Sequence, residues 1–266
     1  MEITYLLLSL LTVTYLFVRL CHNWRPDPWP NPHLVLPRWQ VHRGYWIEGK
    51  QENTLEAFRE ARRRGFAMVE LDVQLSKDFI PVVFHDDDLR RMCQRPERLQ
   101  DLTADQLYQW ANAPTLEKVL NDPENDCLFN VEIKCRSVKD QKTALAVAEV
   151  VKRLGVQDRI IFSSFNPVTL RTLWKELPEV PRALLATDDA TDPDSAIYLR
   201  KIWLGGFAHA NMLNLDKKML TANLMKRLEE RKIPVAAWTV NDPLAAELLF
   251  NKGVVSIISD RPLCST

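Results

Sequence analysis

From residue 38 onward, short apolar runs alternate with stretches of helical period, and no other feature of the sequence restricts the fold so tightly. RWQVH (38–42), FAMVELDVQL (66–75), IPVVF (80–84), LFNVEIK (128–134), RIIFSS (159–164), RALLAT (182–187), PVAAWTV (234–240) and VVSIIS (254–259) read as strands, with one more expected near GFAHANML (206–213). Between them lie segments of helical spacing: TLEAFREARRR (54–64), TADQLYQWA (103–111), TLEKVLN (115–121), KDQKTALAVAEVVKRL (139–154), PVTLRTLWKEL (167–177), TANLMKRLEERK (221–232) and PLAAELLFN (243–251). A weaker helix is expected near DSAIYLRKI (194–202). Gly65, Gly155 and Gly253 fall between a helix and the next strand, where a left-handed residue ends a helix. This repetition predicts an α/β fold, a (β/α)8 TIM barrel, with IPVVF as an extra strand. An open doubly wound sheet is the alternative, although no GxGxxG motif follows the first strand.

Two segments precede this region. ITYLLLSLLTVTYLFV (3–18) is apolar or hydroxyl-bearing, and Arg19 follows it. As a helix it would rise about 24 Å, slightly short of the ~30 Å of a bilayer core. Residues 1–21 are therefore expected to form a single transmembrane helix, with the membrane as a partner and Arg19 snorkelling to the interface. A cleaved signal peptide and a buried helix are the rivals, but the Met-Glu start is not basic and FVRLCHNW offers no small-residue cleavage site. Residues 22–37 carry five prolines within RPDPWPNPHLVLP and read as a semi-rigid spacer. Trp24, Trp29 and Trp39 would sit at the membrane interface or pack on the domain, which spans 38–266. Arg19, Arg25, Arg38 and Arg43 follow the apolar segment while only Glu2 precedes it, which orients the domain to the cytoplasm.

Composition adds mainly exclusions. Lysine plus arginine equals aspartate plus glutamate at 35 each, so no global charge favours nucleic acid. The five cysteines form no CxxC pair, which argues for reduced thiols over a zinc site or disulfide framework. Nothing in the sequence sets the oligomeric state.

On a barrel of this kind, function sits at the C-terminal ends of the strands. His42 and Arg43 end the first strand, and His85 and Asp86 follow IPVVF. Glu70 and Asp72 lie two apart in VELDV, so they share one strand face while Val69, Leu71 and Val73 take the other. Glu132 and Lys134 repeat that spacing in NVEIK, and Trp238 and Asn241 close AWTVN. Inward carboxylates are costly unless a cation joins them. Each feature alone has an ordinary reading: ExD is common on exposed strands, ExK suits a buried ion pair, and Asn53 with Glu56 reads as a helix cap and capping box. Their coincidence at successive strand ends is what points to a site for something anionic.

These stretches, HRG, ENTLEAF, VELDVQLSKDFIPVVFHDDDL, PTLEKVL, VEIK, SSF, AWTVND and ISDRP, resemble the glycerophosphodiester phosphodiesterase family, in order over roughly residues 38 to 262. The resemblance implies a metal-dependent barrel that hydrolyses glycerophosphodiesters to glycerol 3-phosphate and an alcohol. By position, His42 and His85 match the family's acid–base pair. Glu70, Asp72 and Glu132 match ligands of one divalent metal, Ca²⁺ or Mg²⁺, with Glu52 a further acid of the metal shell. Arg43 and Lys134 match phosphate-binding residues, Trp238 matches an aromatic of the substrate pocket, and Gly44 is expected to let backbone approach closely. In the family the substrate's own glycerol hydroxyl is thought to attack, giving a cyclic phosphate that water opens.

One departure bears on substrate choice. The segment 86–113 is short and lacks glycine, so a trimmed roof would open the pocket to bulkier alcohols, and Leu89, Met92 and Trp110 would either help it tolerate a lysolipid phosphodiester or simply pack the loop. A lysophospholipase D or sphingomyelinase D type of lipid phosphodiesterase is therefore one alternative. A catalytically inactive, membrane-tethered binding barrel is the other; it has no need for two acid–base histidines.

Overall fold

The structure is a computed structural model that describes residues 2–47, 49–189, 191 and 197–262. Cys264 and residues 194–196 of the expected weak helix lie outside the described residues. The strands are β1 (Trp39–His42), β2 (Met68–Leu75), β3 (Pro81–Val83), β4 (Leu128–Ile133), β5 (Ile160–Ser164), β6 (Arg182–Ala186), β7 (Met212–Asp216), β8 (Val235–Trp238) and β9 (Ser256–Ser259). The helices are α1 (Glu2–His22), α2 (Leu55–Arg63), α3 (Arg90–Cys93), α4 (Ala104–Ala111), α5 (Leu116–Leu120), α6 (Lys142–Leu154), α7 (Pro167–Glu176), α8 (Ile197–Arg200), α9 (Ala222–Glu230) and α10 (Pro243–Asn251).

The sheet runs β1-β9-β8-β7-β6-β5-β4-β2 and closes through the β1–β2 pairing. Those eight strands are mutually parallel, and β3 folds back antiparallel on the end of β2, with Val73 opposite Val83. The TIM-type barrel with one extra strand is thus the observed fold. Parallel pairing requires a crossover after each strand, and the amphipathic helices supply it. Outward residues Val69, Leu71, Val73, Val131 and Phe162 pack with Phe58, Val147 and Leu173 in one outer core. On the other half, Leu213, Leu215, Val235 and Ile257 pack with Leu224, Leu228 and Leu249.

Two local expectations shift. The strand anticipated near GFAHANML is β7, which starts only at Met212. The preceding residues turn on themselves, with Ala208 N–H donating to Leu204 O and Ala210 N–H to Gly205 O, so the alternation of Ala208 and Ala210 with polar neighbours mimicked a strand. At the second site Thr54, not Asn53, caps α2: its hydroxyl accepts from Ala57 N–H, while Asn53 adopts φ +56°.

The transmembrane anchor is also corrected. Among the described residues, no helix is long and apolar enough to cross a membrane. In α1, Ser9, Thr12, Thr14 and Tyr15 interrupt the apolar run with hydroxyls. The expected single-pass localisation, the cytoplasmic orientation and the membrane partnership fall with it.

The proline-rich segment, read as a spacer, lies on the barrel. Trp24 is 7% exposed, and its indole N–H donates to Ile202 O at 2.8 Å. It fills a notch that only glycine permits, since a Cβ at Gly205 would fall 2.1 Å from the indole. Further on, Leu34 joins Met68, Ile161, Ala183, Met212 and Ala236 in an apolar layer at the N-terminal mouth of the barrel, with Trp29 and Leu36 against it. His209 lies at this end too: it stacks 3.6 Å from Trp174 and its Nδ1 meets Asp27 Oδ2 at 3.0 Å. Residues 24–36 are therefore a strap that stoppers the barrel from below. Trp24→Ala should lower the unfolding free energy by about 3–5 kcal/mol, the usual cost of removing a buried tryptophan, and Gly205→Ala should destabilise in the same direction. Urea denaturation measures both; a Trp24→Ala protein as stable as the parent would show that the strap does not hold.

Candidate active site

Above the apolar stopper the barrel interior turns polar. Gln40 donates to Ser256 Oγ at 3.0 Å and accepts from Asn130 Nδ2 at 2.8 Å. The strand period then places Glu70 and Asp72 one and two levels higher, and the β2–β4 register sets Asp72 beside Glu132. Carboxylate oxygens of Glu70, Asp72 and Glu132 all lie within 4.8 Å of one another. Three carboxylates gathered this tightly repel, and the structure shows how they are offset. Lys134 Nζ reaches Glu132 Oε1 at 3.0 Å and Asp72 Oδ1 at 3.4 Å, and Arg43 Nε lies 3.3 Å from Asp72 Oδ2.

Asn53, read as a cap, is part of this arrangement. Its left-handed backbone turns the amide inward, where Nδ2 donates to Asp72 Oδ2 at 2.9 Å and Oδ1 accepts from Asp72 N–H at 3.3 Å. Arg43 also has positive φ, +58°, and its N–H donates to Glu70 Oε2 at 3.1 Å. Gly44 does permit close approach, but to α2: a Cβ there would lie 2.8 Å from the Phe58 ring.

The acidities follow from these contacts. Burial, then the neighbouring charges of Asp72 and Glu132, push the Glu70 carboxyl well above its usual range. Burial would raise Asp72 too, but Lys134, Arg43 and His85 outweigh it and hold Asp72 well below. Burial works against the charge of Lys134 as well, yet Glu132 and Asp72 raise it above an ordinary lysine. The net result is a cluster with more negative charge than its two cations offset, because Arg43 is shared with Glu52 at 2.9 Å. An all-oxygen donor set of this kind fits a hard divalent cation.

Glu52 stands outside the three-carboxylate cluster. Its oxygens are taken by Arg43 and by Arg91, at 2.5 and 3.2 Å. Arg91 and Arg43 outweigh burial and hold its carboxyl below the usual range.

Both histidines are held through Nδ1. His42 Nδ1 lies 2.6 Å from Asp260 Oδ1, whose other oxygen accepts from Asn241 Nδ2 at 2.7 Å. His85 Nδ1 lies 2.7 Å from Asp86 Oδ1, whose other oxygen accepts from Arg91 Nε at 2.7 Å. A carboxylate at Nδ1 fixes the ring and leaves Nε2 for proton exchange; His42 Nε2 is 3.9 Å from Glu70 Oε2. Asp260, Arg91 and Phe165 were not singled out from the sequence. Asp260 is 218 residues from His42, and only the barrel's closure brings them together. The ISDRP and SSF motifs were the available signals for Asp260 and Phe165.

His42, Arg43, Glu70, His85, Glu132, Lys134 and Trp238 all line one cavity of about 400 Å³. Trp238 packs edge-on to Phe165 with centroids 5.8 Å apart, its indole N–H donating to Asn214 O at 3.0 Å. In the roof, the packing alternative is the one observed. Leu89 is buried with Leu99, Leu102 and Leu107 in a separate small core, Met92 and Trp110 pack on it, and Arg95 lies 3.9 Å over the Trp110 ring. These apolar residues serve the roof itself rather than facing a lipid.

Comparison with known proteins agrees with this geometry. The sequence profile of the glycerophosphoryl diester phosphodiesterase family matches residues 42–264. The uncharacterized protein YqiK of Bacillus subtilis (strain 168) is 31% identical over 79% of this chain and 90% of its own length. A glycerophosphodiester phosphodiesterase of Bacillus altitudinis is 29% identical over 84% of this chain and 94% of its own. Among solved structures, an Oleispira antarctica phosphodiesterase in complex with the product sn-glycerol-3-phosphate superposes with a TM-score of 0.72 at 27% identity, covering 85% of this chain and 94% of that one. A strand-end site of three carboxylates, two anchored histidines and two cations, on a chain matched over nearly its whole barrel, places this protein in the glycerophosphoryl diester phosphodiesterase family.

Proposed function

We propose that this phosphodiesterase hydrolyses glycerophosphodiesters to glycerol 3-phosphate and an alcohol, with His42 and His85 as the acid–base pair and one divalent cation, Ca²⁺ or Mg²⁺, held by Glu70, Asp72 and Glu132. The observation that carries the reading is the pair of imidazoles, each tied at Nδ1 to its own carboxylate and both opening on the cavity that Glu70 and Glu132 line. A binding barrel has no use for two such histidines.

In this reading Arg43 and Lys134 bring positive charge to the phosphoryl oxygens, and Trp238 with Phe165 forms an apolar wall for the substrate. A bound divalent cation would add charge neutralisation at the phosphate. One histidine takes the proton of the substrate's neighbouring glycerol hydroxyl as its oxygen bonds to phosphorus. The other protonates the departing alcohol oxygen as its bond to phosphorus breaks. Water then opens the cyclic phosphate with the proton roles reversed, leaving glycerol 3-phosphate. Glu52 is best read as the carboxylate that sets the Arg43 guanidinium.

His42→Ala and His85→Ala should each lower kcat by about 10²–10⁴-fold, the usual worth of positioned proton transfer, while circular dichroism stays native. Steady-state hydrolysis of glycerophosphocholine and glycerophosphoethanolamine by metal-loaded protein measures this; full activity of the His42→Ala protein would end the assignment. Asp260→Ala should lower kcat in the same direction by freeing the His42 ring. Chelator should silence the parent protein, and one added divalent metal should restore it; chelator-resistant turnover would exclude the metal role.

A further inference from the structure

Arg91 touches neither of the groups assigned to proton transfer or phosphate binding, yet its guanidinium joins the two. It lies on α3, in the short segment between β3 and α4. Nε donates to Asp86 Oδ2 at 2.7 Å, and the terminal nitrogens reach Glu52 at 2.5 and 3.2 Å. Each of these carboxylates uses a further contact on a site residue. Asp86 Oδ1 lies 2.7 Å from His85 Nδ1, and Glu52 Oε1 accepts from Arg43 at 2.9 Å. Arg91 is therefore the common member of two chains, Arg91–Asp86–His85 and Arg91–Glu52–Arg43.

The chemistry of the side chain suits that place. A planar guanidinium presents its donors in a fixed fork, so two carboxylates bound to it are held relative to each other. A lysine ammonium supplies the charge without the fork. The adjacent Arg90 gives the contrast within the same helix: it is exposed, and its guanidinium lies 3.6 Å from Asp88 Oδ2. Without Arg91, the side-chain partners left among the described residues are His85 for Asp86, on a loop at the cavity edge, and Arg43 for Glu52.

We infer that Arg91 is a positioning residue: through Asp86 it keeps the His85 ring in the form protonated at Nδ1, and through Glu52 it holds the Arg43 guanidinium at the phosphate site. Its kinetic consequence rests on the function proposed above; its structural consequence does not. Two readouts separate them. With histidine ¹⁵N-labelled and His85 identified by its loss in His85→Ala, the metal-free parent and Arg90→Ala should show His85 as one tautomer. Arg91→Ala should show a mixture. With metal and glycerophosphocholine, Arg91→Ala should lose about 10–100-fold in kcat, the usual effect of removing an outer partner of a site residue, and its KM should rise. Free guanidinium should restore part of the Arg91→Ala activity and leave Arg90→Ala unaffected. If Arg91→Ala fails to fold, Arg91→Lys retains the charge without the fork and should show the same mixed tautomer and the same direction of loss. A folded Arg91 variant whose His85 signal is unchanged overturns the inference, as does one with the parent's kcat and KM. A parent protein inactive on every glycerophosphodiester would overturn the functional reading instead, and the tautomer measurement would still decide on Arg91.

Discussion

The repulsion among Glu70, Asp72 and Glu132 organises the upper half of this barrel. Their oxygens share a space 4.8 Å across, and Glu70 and Asp72 are almost wholly buried. An unpaired buried charge costs several kcal/mol, so the surroundings are arranged to meet it. Lys134 directly follows β4, the strand of Glu132, Arg43 turns left-handed to bring its N–H to Glu70, and Asn53 turns left-handed to bring its amide to Asp72. The positive φ of Arg43 and Asn53 puts both residues in a region that non-glycine residues seldom occupy. The Glu70 carboxyl nevertheless stays pushed up by burial and by its two acidic neighbours. That residual imbalance is what a divalent cation at the proposed site would offset.

Below that level the interior grades from amide and hydroxyl pairs around Gln40 to the apolar layer closed by Leu34 and Trp29. The strap makes the polar half affordable, because the barrel is sealed at the end away from the cavity. Arg182 illustrates the same division. It is buried at the start of β6, where its guanidinium donates to the carbonyls of His209, Pro178 and Val180, and burial lowers it to about 10. It serves the lower rim and takes no part at the cavity.

Much of the site was legible because strand geometry is simple. Side chains two apart share a face, so VELDV and NVEIK announced an inward cluster without knowledge of the third dimension. Helix ends were likewise legible at Gly65, Gly155 and Gly253, all with positive φ. What escaped depended on long range or on ambiguous residue types. Asn53 is a good helix cap by type, so its amide contact with Asp72 was hidden behind local logic. Asp260 meets His42 only when β9 closes against β1. Arg91 reaches Glu52 across 39 positions, a distance no local pattern reports. Prolines 26 to 37 read as a spacer because proline fixes φ regardless of what the chain packs against. The apolar N-terminal stretch read as a membrane anchor from hydropathy, which the described helix does not bear out.

The central claim is that the three carboxylates form one cation site, and calorimetric titration of chelator-stripped protein tests it without reference to any substrate. Ca²⁺ or Mg²⁺ should bind at one equivalent per chain. Glu70→Gln and Asp72→Asn should each weaken that binding sharply, while Arg90→Ala leaves it unchanged. Absence of binding by the folded parent, or undiminished binding by both the Glu70 and Asp72 variants, would contradict the account.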